Sequence, residues 1–271
     1  ALILNIEYEI ICIDDGSFSS KNESNQKINI LTNCKFLESK KNLGRIKNRI
    51  LLANSAQYDW LIYIDVDTTP ISDNFLEKYI KLIGETSFIF GGCSFNESTK
   101  IENDFLRFEF GKNREEKKSV YRSKFPYKFI SSSNFMVKKE IVLQVLSKIV
   151  SSSYGNDYIF GSILKTEKIK VLHIDNQVSI NEVDNNEVFI SKTHNALKNL
   201  KINYKENKIK HHSISILSSY SFLEFFFLKR LFLKITGLFK NNIEENLKSK
   251  KPNLFLFDLY RLNYLCKIKV S

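Results

Sequence analysis

Proline and glycine are scarce in this sequence of 271 residues, which holds three prolines and nine glycines. That composition excludes collagen-like and low-complexity proteins, while 43% hydrophobic residues support one sizeable core or one domain with an appendage. Cysteine is also sparse: Cys12, Cys34, Cys93 and Cys266 form no CxxC pair, and none lies near a histidine at a zinc-like spacing. We therefore expect reduced core thiols and a cytosolic compartment.

The N-terminus lacks a methionine, and no signal peptide with a basic start and a small-residue cleavage site is visible. The chain begins at Ala1, inside the apolar stretch ALILNIEYEIICIDDGS. We expect a fragment, or a domain cut from a longer protein, without an N-terminal piece.

Negative charge is in deficit, since 41 Lys and Arg face 30 Asp and Glu, for a net charge of +11. Such an excess favours an anionic partner, which could be nucleic acid, an anionic membrane surface or a phosphorylated small molecule. Plain solubility explains it equally well. Because the basic segments match no nucleic-acid-binding motif, we expect no nucleic acid partner.

Short apolar runs alternate with segments of helical spacing in the first part of the chain. The predicted strands are Glu9–Asp14, Lys27–Leu31, Trp60–Asp65 and Ser87–Phe95, and the predicted helices are Asn42–Ala56 and Ser72–Ile83, with Ser72 as N-cap. This order predicts an α/β sandwich with a mostly parallel central sheet, in which the uniformly apolar Trp60–Asp65 is a central parallel strand. Beyond Lys201 the sequence becomes basic and aromatic, so we predict a domain over residues 1–200 and a helical, basic C-terminal region over 201–271.

Paired acids follow two of the predicted strands: Asp14-Asp15 and Asp65-Val66-Asp67. Ligands of such sheets gather outside the carboxyl ends of the strands, so both pairs can face one cleft. In an extended chain Asp65 and Asp67 project to the same side, and two such carboxylates favour Mg²⁺ or Mn²⁺ bound with a diphosphate. The alternative is a solvated loop with two turn-forming acids.

Four segments with recognisable motifs follow one another along the chain: EIICIDDGS, NLGRIKNR, LIYIDVDTTPISDNFLEKYI and YGNDYIFG. Together they resemble a family 2 glycosyltransferase with the GT-A type of nucleotide-binding fold, over roughly Glu7 to Asn195. The resemblance implies transfer of a sugar from a nucleotide-diphosphate donor, expected to be UDP-linked, to a glycan or lipid-linked acceptor, with inversion at the sugar carbon. It also implies a further strand before Ala1, which this sequence does not contain.

The resemblance assigns donor-binding roles to the first three segments. Asp14 or Asp15 would accept hydrogen bonds from the nucleotide base and ribose, and the residues leave this choice open. Gly44 matches the glycine of the family's Asn-x-Gly motif, and Arg49 matches the arginine five residues after that glycine. Arg49 would contact the nucleotide or its phosphates. Arg45 is a neighbouring candidate.

The remaining roles implied by the resemblance are carried by three acids. Asp65 and Asp67 would hold the metal that bridges the donor diphosphate, with Asp65 also near the donor. Asp157 would be the base that deprotonates the acceptor hydroxyl, although a cap of the following helix is the alternative role.

Two departures from the family pattern favour a non-catalytic relative that still binds nucleotide sugars. Asn156 stands where relatives have the first of two acids. Ser179-Ile180 stands where relatives have a metal-binding histidine, and His173 lies several residues earlier within a predicted strand.

A haloacid-dehalogenase-like phosphatase is a further alternative, because Asp65-Val66-Asp67-Thr68-Thr69 fits its signature with Asp65 as nucleophile. Those enzymes usually carry this motif on the first strand.

Cations interrupt the apolar segment Ser221–Lys240. Arg230, Lys234, Gly237 and Asn241 form a narrow polar stripe on a helix, and the central charges argue against spanning a bilayer. We expect this helix either to lie on an anionic membrane surface, as a peripheral protein at the inner face, or to pack on the domain. Asn253–Lys269 is predicted as a further helix or hairpin.

Overall fold

The computed structural model describes residues 6–96, 105–149, 155–209 and 214–269. Tyr154 of the YGNDYIFG segment lies outside these residues, as do the ends of the chain. All four cysteines are described and free, but only Cys93 and Cys266 are buried. The predicted core position is wrong for Cys12 and Cys34, which are half-buried.

The strands are short. They are β1 (Ile10–Asp14), β2 (Cys34–Glu38), β3 (Trp60–Ile64), β4 (Thr68–Pro70), β5 (Phe88–Phe90), β6 (Cys93–Phe95), β7 (Asn134–Lys138), β8 (Val171–His173) and β9 (Val178–Ile180).

Helices dominate the second half of the chain. The α-helices are α1 (Lys21–Asn25), α2 (Arg45–Ser55), α3 (Phe75–Ile80), α4 (Phe105–Phe110), α5 (Ser119–Ser123), α6 (Lys139–Ser147), α7 (Asn156–Thr166), α8 (Asn186–Lys205), α9 (Ser215–Phe225), α10 (Lys229–Leu238), α11 (Lys240–Lys248) and α12 (Leu254–Lys267).

The described strands form three separate sheets: a parallel pair β1–β2, a four-stranded sheet in the order β3-β7-β5-β8, and a three-stranded sheet in the order β4-β9-β6. The mixed α/β architecture is as predicted. The four-stranded sheet is nevertheless mixed rather than mostly parallel, because β7 runs antiparallel to both β3 and β5. The prediction that Trp60–Asp65 is a central strand is also wrong, because β3 lies at the edge of this sheet among the described strands and only Tyr63 of its five residues is buried. An apolar run does not determine the direction or the number of a strand's neighbours.

The predicted strand Lys27–Leu31 is wrong. Residues Gln26–Ile30 form a 3-10 helix, and the strand that pairs with β1 is Cys34–Glu38. The side chain of Asn29 explains the difference, because it accepts from the amide of Phe36 and donates to the carbonyl of Phe36. These two hydrogen bonds hold the 3-10 turn against β2.

Two further boundaries differ from the prediction. Ser72 is not an N-cap: α3 begins at Phe75 after Asn74, and the Ser72 hydroxyl bonds to the Asn74 side chain. The predicted strand Ser87–Phe95 divides at Gly91-Gly92, so that β5 and β6 belong to different sheets. A β-carbon on Gly91 would lie 2.4 Å from the Tyr79 hydroxyl, which explains why glycine stands at the division.

The main core lies between the four-stranded sheet and the helices that cover it. Phe135 of β7 stacks on Tyr63 of β3 and Phe88 of β5, with ring centroids 5.0 and 5.2 Å apart. Buried residues of α6, α7 and α8 complete this cluster, together with Leu265 and Cys266 of α12. Burial of this apolar surface is the main favourable contribution to folding.

The C-terminal helices pack on the rest of the molecule. α12 lies against α8 and α9, and its start is capped by the Asn253 side chain. The proposed division at residue 200 falls within α8, and the core cluster includes side chains on both sides of it. We retain the two regions as a proposal.

No helix among the described residues is both long enough and apolar enough to cross a bilayer.

Candidate functional site

A cavity of about 2620 Å³ lies between β1 and β3, is bordered by α2 and α7, and extends as far as α4, α8, α9 and α12. Side chains of β1 and β3 both line it, and these two strands are not hydrogen-bonded to each other. Of the residues predicted to act, these line the cavity: Asp14, Arg45, Arg49, Asp65, Asp67 and Asp157.

The structure separates the two neighbouring acids at the end of β1. Asp14 lines the cavity, and one of its oxygens accepts from the Ser17 amide at 2.9 Å. Hydrogen bonding to the Ser17 side chain, and to a lesser extent to this amide, lowers the pKa of the Asp14 carboxyl group. Asp15 instead accepts from the amides of Leu43 and Gly44, both at 2.8 Å. Asp14 thus lines the cavity, while Asp15 fixes the loop that begins α2.

Gly44 shapes that loop rather than lining the cavity. Its φ of 80° lies in the left-handed region that favours glycine, and it is the N-cap of α2 without a side-chain cap bond. Its amide is not available to donate to a ligand, since it already donates to Asp15 and to the Asn42 side chain. The Asn-x-Gly motif therefore orients α2.

Arg49 and Arg45 of α2 both bind Asp65 at the end of β3. Arg49 Nη2 lies 2.6 Å from Asp65 Oδ1 and 2.6 Å from the Ser132 carbonyl oxygen, and Arg45 Nη2 lies 2.7 Å from Asp65 Oδ2. Arg49 is only 7% exposed. Burial lowers the pKa of Arg49, and the negative charge of Asp65 opposes that effect.

Asp65 and Asp67 lie in a turn, not in the extended chain that the sequence suggested. The Thr68 amide and hydroxyl both donate to the Asp65 carbonyl oxygen, at 3.1 and 2.7 Å. The alternation of an extended chain therefore does not apply here. Asp67 is exposed, whereas both carboxylate oxygens of Asp65 already accept from guanidinium groups.

Asp157 lies in the first turn of α7, where Gly155 is the N-cap. The carboxylate lines the cavity, and its charge acts on Arg49. Asp157 is consequently not the N-cap of this helix. The first acid of the family pattern is Asn156, of whose side chain the structure describes nothing.

The residues around Asp67 fit a magnesium or manganese ion bound mainly through its ligand. Within the described part of the chain, no group of three or more His, Cys, Asp or Glu side chains is placed to hold a metal. Mg²⁺ commonly uses one or two carboxylates and completes its shell with water and phosphate oxygens, so the exposed Asp67 alone matches that donor set, while both oxygens of Asp65 are bound by arginines.

Histidine does not contribute to this cavity among the described residues. His173 is buried in β8, between Arg122 Nε at 3.3 Å and the Pro126 carbonyl oxygen at 2.9 Å. Ser179 and Ile180 lie in β9, opposite Thr69 and Thr68.

Sequence reasoning missed two contributors to the cavity. Glu182 follows β9 and lines the cavity, and the amide of its neighbour Asn181 donates to the Asp67 carbonyl oxygen. The Ser132 carbonyl oxygen holds Arg49. Neither carries a local motif, since only the pairing of β4 with β9 and the fold of the loop before β7 bring them there.

Comparison with known proteins identifies the family. The description "Glycosyl transferase family 2" matches residues 2–146, which is more than half of the chain. This chain belongs to glycosyltransferase family 2. No curated protein matches the sequence closely enough to extend that assignment.

Two solved glycosyltransferases are similar in structure. Mannosyltransferase PcManGT from Pyrobaculum calidifontis, solved with GDP-Man and Mn²⁺, has 13% identity and a TM-score of 0.56 over 95% of this chain and 76% of that one. TarS 1-349 from S. aureus has 14% identity and a TM-score of 0.43 over 71% of this chain and 56% of that one. The first likeness confirms the predicted GT-A-type fold.

Membership of this family excludes the phosphatase alternative. Asp65 is also poorly suited to act as a nucleophile there, because both of its oxygens are held by arginines.

Proposed function

We propose that this chain is an inverting glycosyltransferase that moves a sugar from a nucleotide-diphosphate donor, preferably UDP-linked, to a glycan or lipid-linked acceptor. One observation carries the proposal: Arg45 and Arg49 of α2 contact Asp65 at the end of β3, and the charge of Asp157 at the start of α7 acts on the same Arg49. These residues are far apart in the sequence, and only the fold brings them together.

The donor would lie along the ends of β1 and β3. Asp14 can accept from an imide N–H of the base or from a ribose hydroxyl. Arg45 and Arg49 set two positive charges beside Asp65, where the negative charge of a departing diphosphate develops. Asp15 and Gly44 position these arginines through the loop before α2.

Asp67 would hold Mg²⁺ or Mn²⁺ together with the diphosphate oxygens, whereas Asp65, the second predicted ligand, would join the metal only by giving up a bond to Arg45 or Arg49. When bound, the ion supplies Lewis-acid stabilisation of the leaving diphosphate, which is worth several kcal/mol in such reactions.

Asp157 would take the proton of the acceptor hydroxyl. The hydroxyl oxygen then forms a bond to the anomeric carbon, the bond from that carbon to the diphosphate oxygen breaks, and its electron pair stays on the diphosphate. A single displacement of this kind inverts the configuration of the sugar carbon. The proposed compartment is the cytoplasm, at the inner face of the membrane, with no nucleic acid partner.

The test measures transfer of a radiolabelled sugar and, separately, nucleotide binding by calorimetry, with UDP-linked and GDP-linked donors in parallel. Asp157→Asn should lower kcat about 10²- to 10⁴-fold while the affinity for the nucleotide changes less than about twofold. Glu187→Gln, an exposed acid in the first turn of α8, is the matched control and should keep full activity.

Equal turnover by Asp157→Asn would remove Asp157 from its role. Nucleotide binding by the unmodified chain without transfer to any acceptor would favour the non-catalytic relative instead.

A further inference from the structure

We propose that α9, α10 and the segment between them form a docking surface for an anionic lipid bilayer. We define this aromatic–basic surface by its exposed apolar side chains, which are Phe222, Phe225, Phe226, Phe227, Leu228, Leu231, Ile235, Leu238 and Phe239. Contiguous exposed apolar patches are rare on soluble proteins and mark contact with a membrane or another protein.

The surface has a protruding aromatic tip. The predicted single helix over Ser221–Lys240 is in fact two helices, interrupted at Phe226–Leu228, where Phe227 has a φ of 57°. Phe225 and Phe227 are 76% and 91% exposed. Three consecutive phenylalanines at an exposed bend are in contact with water in this structure. Their apolar surface leaves water only when something outside the described chain covers it.

The apolar residues of α10 lie on two faces of the helix. Phe232, Leu233 and Thr236 face the core, and Asn263 of α12 donates to Thr236 at the centre of that contact. Leu231, Ile235 and Leu238 follow each other at spacings of four and three on an exposed face. The wide apolar face predicted for this helix therefore has an inner half that packs on the domain and an outer half that does not.

Basic residues border the exposed apolar face. Arg230 and Lys234 are one helical turn apart and exposed, next in sequence to Leu231 and Ile235. Between Ile214 and Phe239 the chain has three basic residues, Lys229, Arg230 and Lys234, and one acid, Glu224, which accepts from the Tyr220 hydroxyl. The next lysine, Lys240, pairs with Glu244 of α11. A helix with bulky apolar residues beside cations is suited to the interface of an anionic leaflet.

The excess of positive charge argues for a bilayer rather than a second copy of this chain. A symmetric dimer would place the same surface of both subunits face to face. Such a contact would bring the cations of one copy against those of the other. Anionic lipid headgroups complement both parts of the surface, since they attract the cations while acyl chains accept the phenylalanines.

α9 connects this surface to the cavity. Ser215 and Ser219 line the cavity, and Phe222 and Phe226 follow at spacings of three and four on the same side of the helix. A lipid-linked acceptor held in the bilayer could therefore reach the cavity along α9. This last step rests on the proposed function, whereas membrane docking itself does not.

The test is flotation of the full chain with vesicles of phosphatidylcholine alone and of phosphatidylcholine with phosphatidylglycerol in equal parts. Binding is expected only to the anionic vesicles. The triple variant Phe225→Ser, Phe226→Ser, Phe227→Ser should bind at least about tenfold more weakly, because three large apolar side chains no longer enter the bilayer. The matched control replaces Phe18, Ile30 and Leu31 by serine, which are comparably exposed in the N-terminal part, and should bind like the parent.

A second pair of variants tests the charge. Arg230→Gln with Lys234→Gln should reduce binding to anionic vesicles and weaken its dependence on salt. Lys21→Gln with Lys27→Gln removes the same charge from an exposed N-terminal region and should have no such effect.

Three results would overturn the proposal. These are no flotation with anionic vesicles, equal binding by the phenylalanine variant and its control, or a stable dimer without vesicles that the phenylalanine variant abolishes. Flotation is independent of catalysis, so docking without sugar transfer would contradict the proposed function alone.

Discussion

At the residue scale, Asp65 lies in the candidate site and also stabilises the fold. Its two oxygens accept from Arg45 and from the buried Arg49, while Asp67 two residues later is exposed. The two acids of one motif therefore have different tasks. Asp65 neutralises a buried cation, and Asp67 has an exposed carboxylate, which is the one that we propose binds the metal.

This difference predicts that alanine variants of the two acids differ in their free energy of unfolding. Asp65→Ala should lower the free energy of unfolding by about 2–4 kcal/mol, because the buried Arg49 loses the carboxylate that it contacts directly. Asp67→Ala should change it by less than about 0.5 kcal/mol, since the exposed carboxylate has no such partner. Urea unfolding measures both, and equal destabilisation would contradict the division of tasks.

His173 gives a pH dependence at the same scale. Its Nδ1 accepts from Arg122 and its Nε2 faces the Pro126 carbonyl oxygen, so the neutral ring fits and the charged ring does not. Burial lowers the pKa of His173 to about 4 in the folded state. The unfolded chain then binds more protons, and stability is lost as pH falls from about 6.5 towards about 4.

Protonation linked to His173 is expected to lower the free energy of unfolding by about 2 kcal/mol between pH 7 and pH 5. Urea unfolding of the parent and of His173→Gln at both pH values isolates it, because the other acid-sensitive groups are common to both proteins. Identical pH dependence in the two proteins would show that His173 does not titrate in this way.

At the element scale, the start of α7 determines where Asp157 lies. Gly155 has a φ of 91°, and a β-carbon there would lie 2.5 Å from Cβ of Ala196 in α8. Glycine is thus required twice, by the backbone conformation and by the contact between the helices. The loop and α8 together hold the first turn of α7 at the cavity.

Gly155→Ala should therefore destabilise the fold by about 1–3 kcal/mol and lower the rate of sugar transfer, because α7 must shift. Gly237→Ala is the control: it lies in α10 with nothing within 4 Å of the added carbon and should be neutral or up to about 1 kcal/mol stabilising. Thermal unfolding and the transfer assay measure both, and an unchanged Gly155→Ala protein would refute the requirement.

At the scale of the whole molecule, Lys201 fastens the C-terminal helices to the rest. Its ammonium group is buried on α8 and donates to the carbonyl oxygens of Leu265 and Ile268, both at 2.8 Å, at the end of α12. The Tyr220 ring of α9 lies 4.6 Å away. Burial lowers the pKa of Lys201 to about 8.

Lys201→Met should loosen α12, because two buried carbonyl oxygens lose their donor, at a cost of about 2 kcal/mol. Hydrogen exchange should become faster in α12 and stay unchanged in β7. Lys198→Met, an exposed lysine on the same helix, is the control. Unchanged protection of α12 would show that apolar packing alone holds it.

Local patterns in the sequence determined much of the outcome. Apolar runs ending in acids placed β1 and β3, helical spacing placed α2, and the order of four motifs indicated the family. These features depend on neighbouring residues only, because burial and turn chemistry leave a signature within one or two turns of the chain.

Tertiary structure alone decided the rest. The choice between Asp14 and Asp15 depended on the amides of Leu43 and Gly44, and the pairing of Asp65 with two arginines depended on the packing of α2 beside β3. The direction of β7 and the exposed half of α10 likewise came from contacts between distant segments. A periodic sequence shows which side of an element is apolar, but only the assembled fold decides what that side meets.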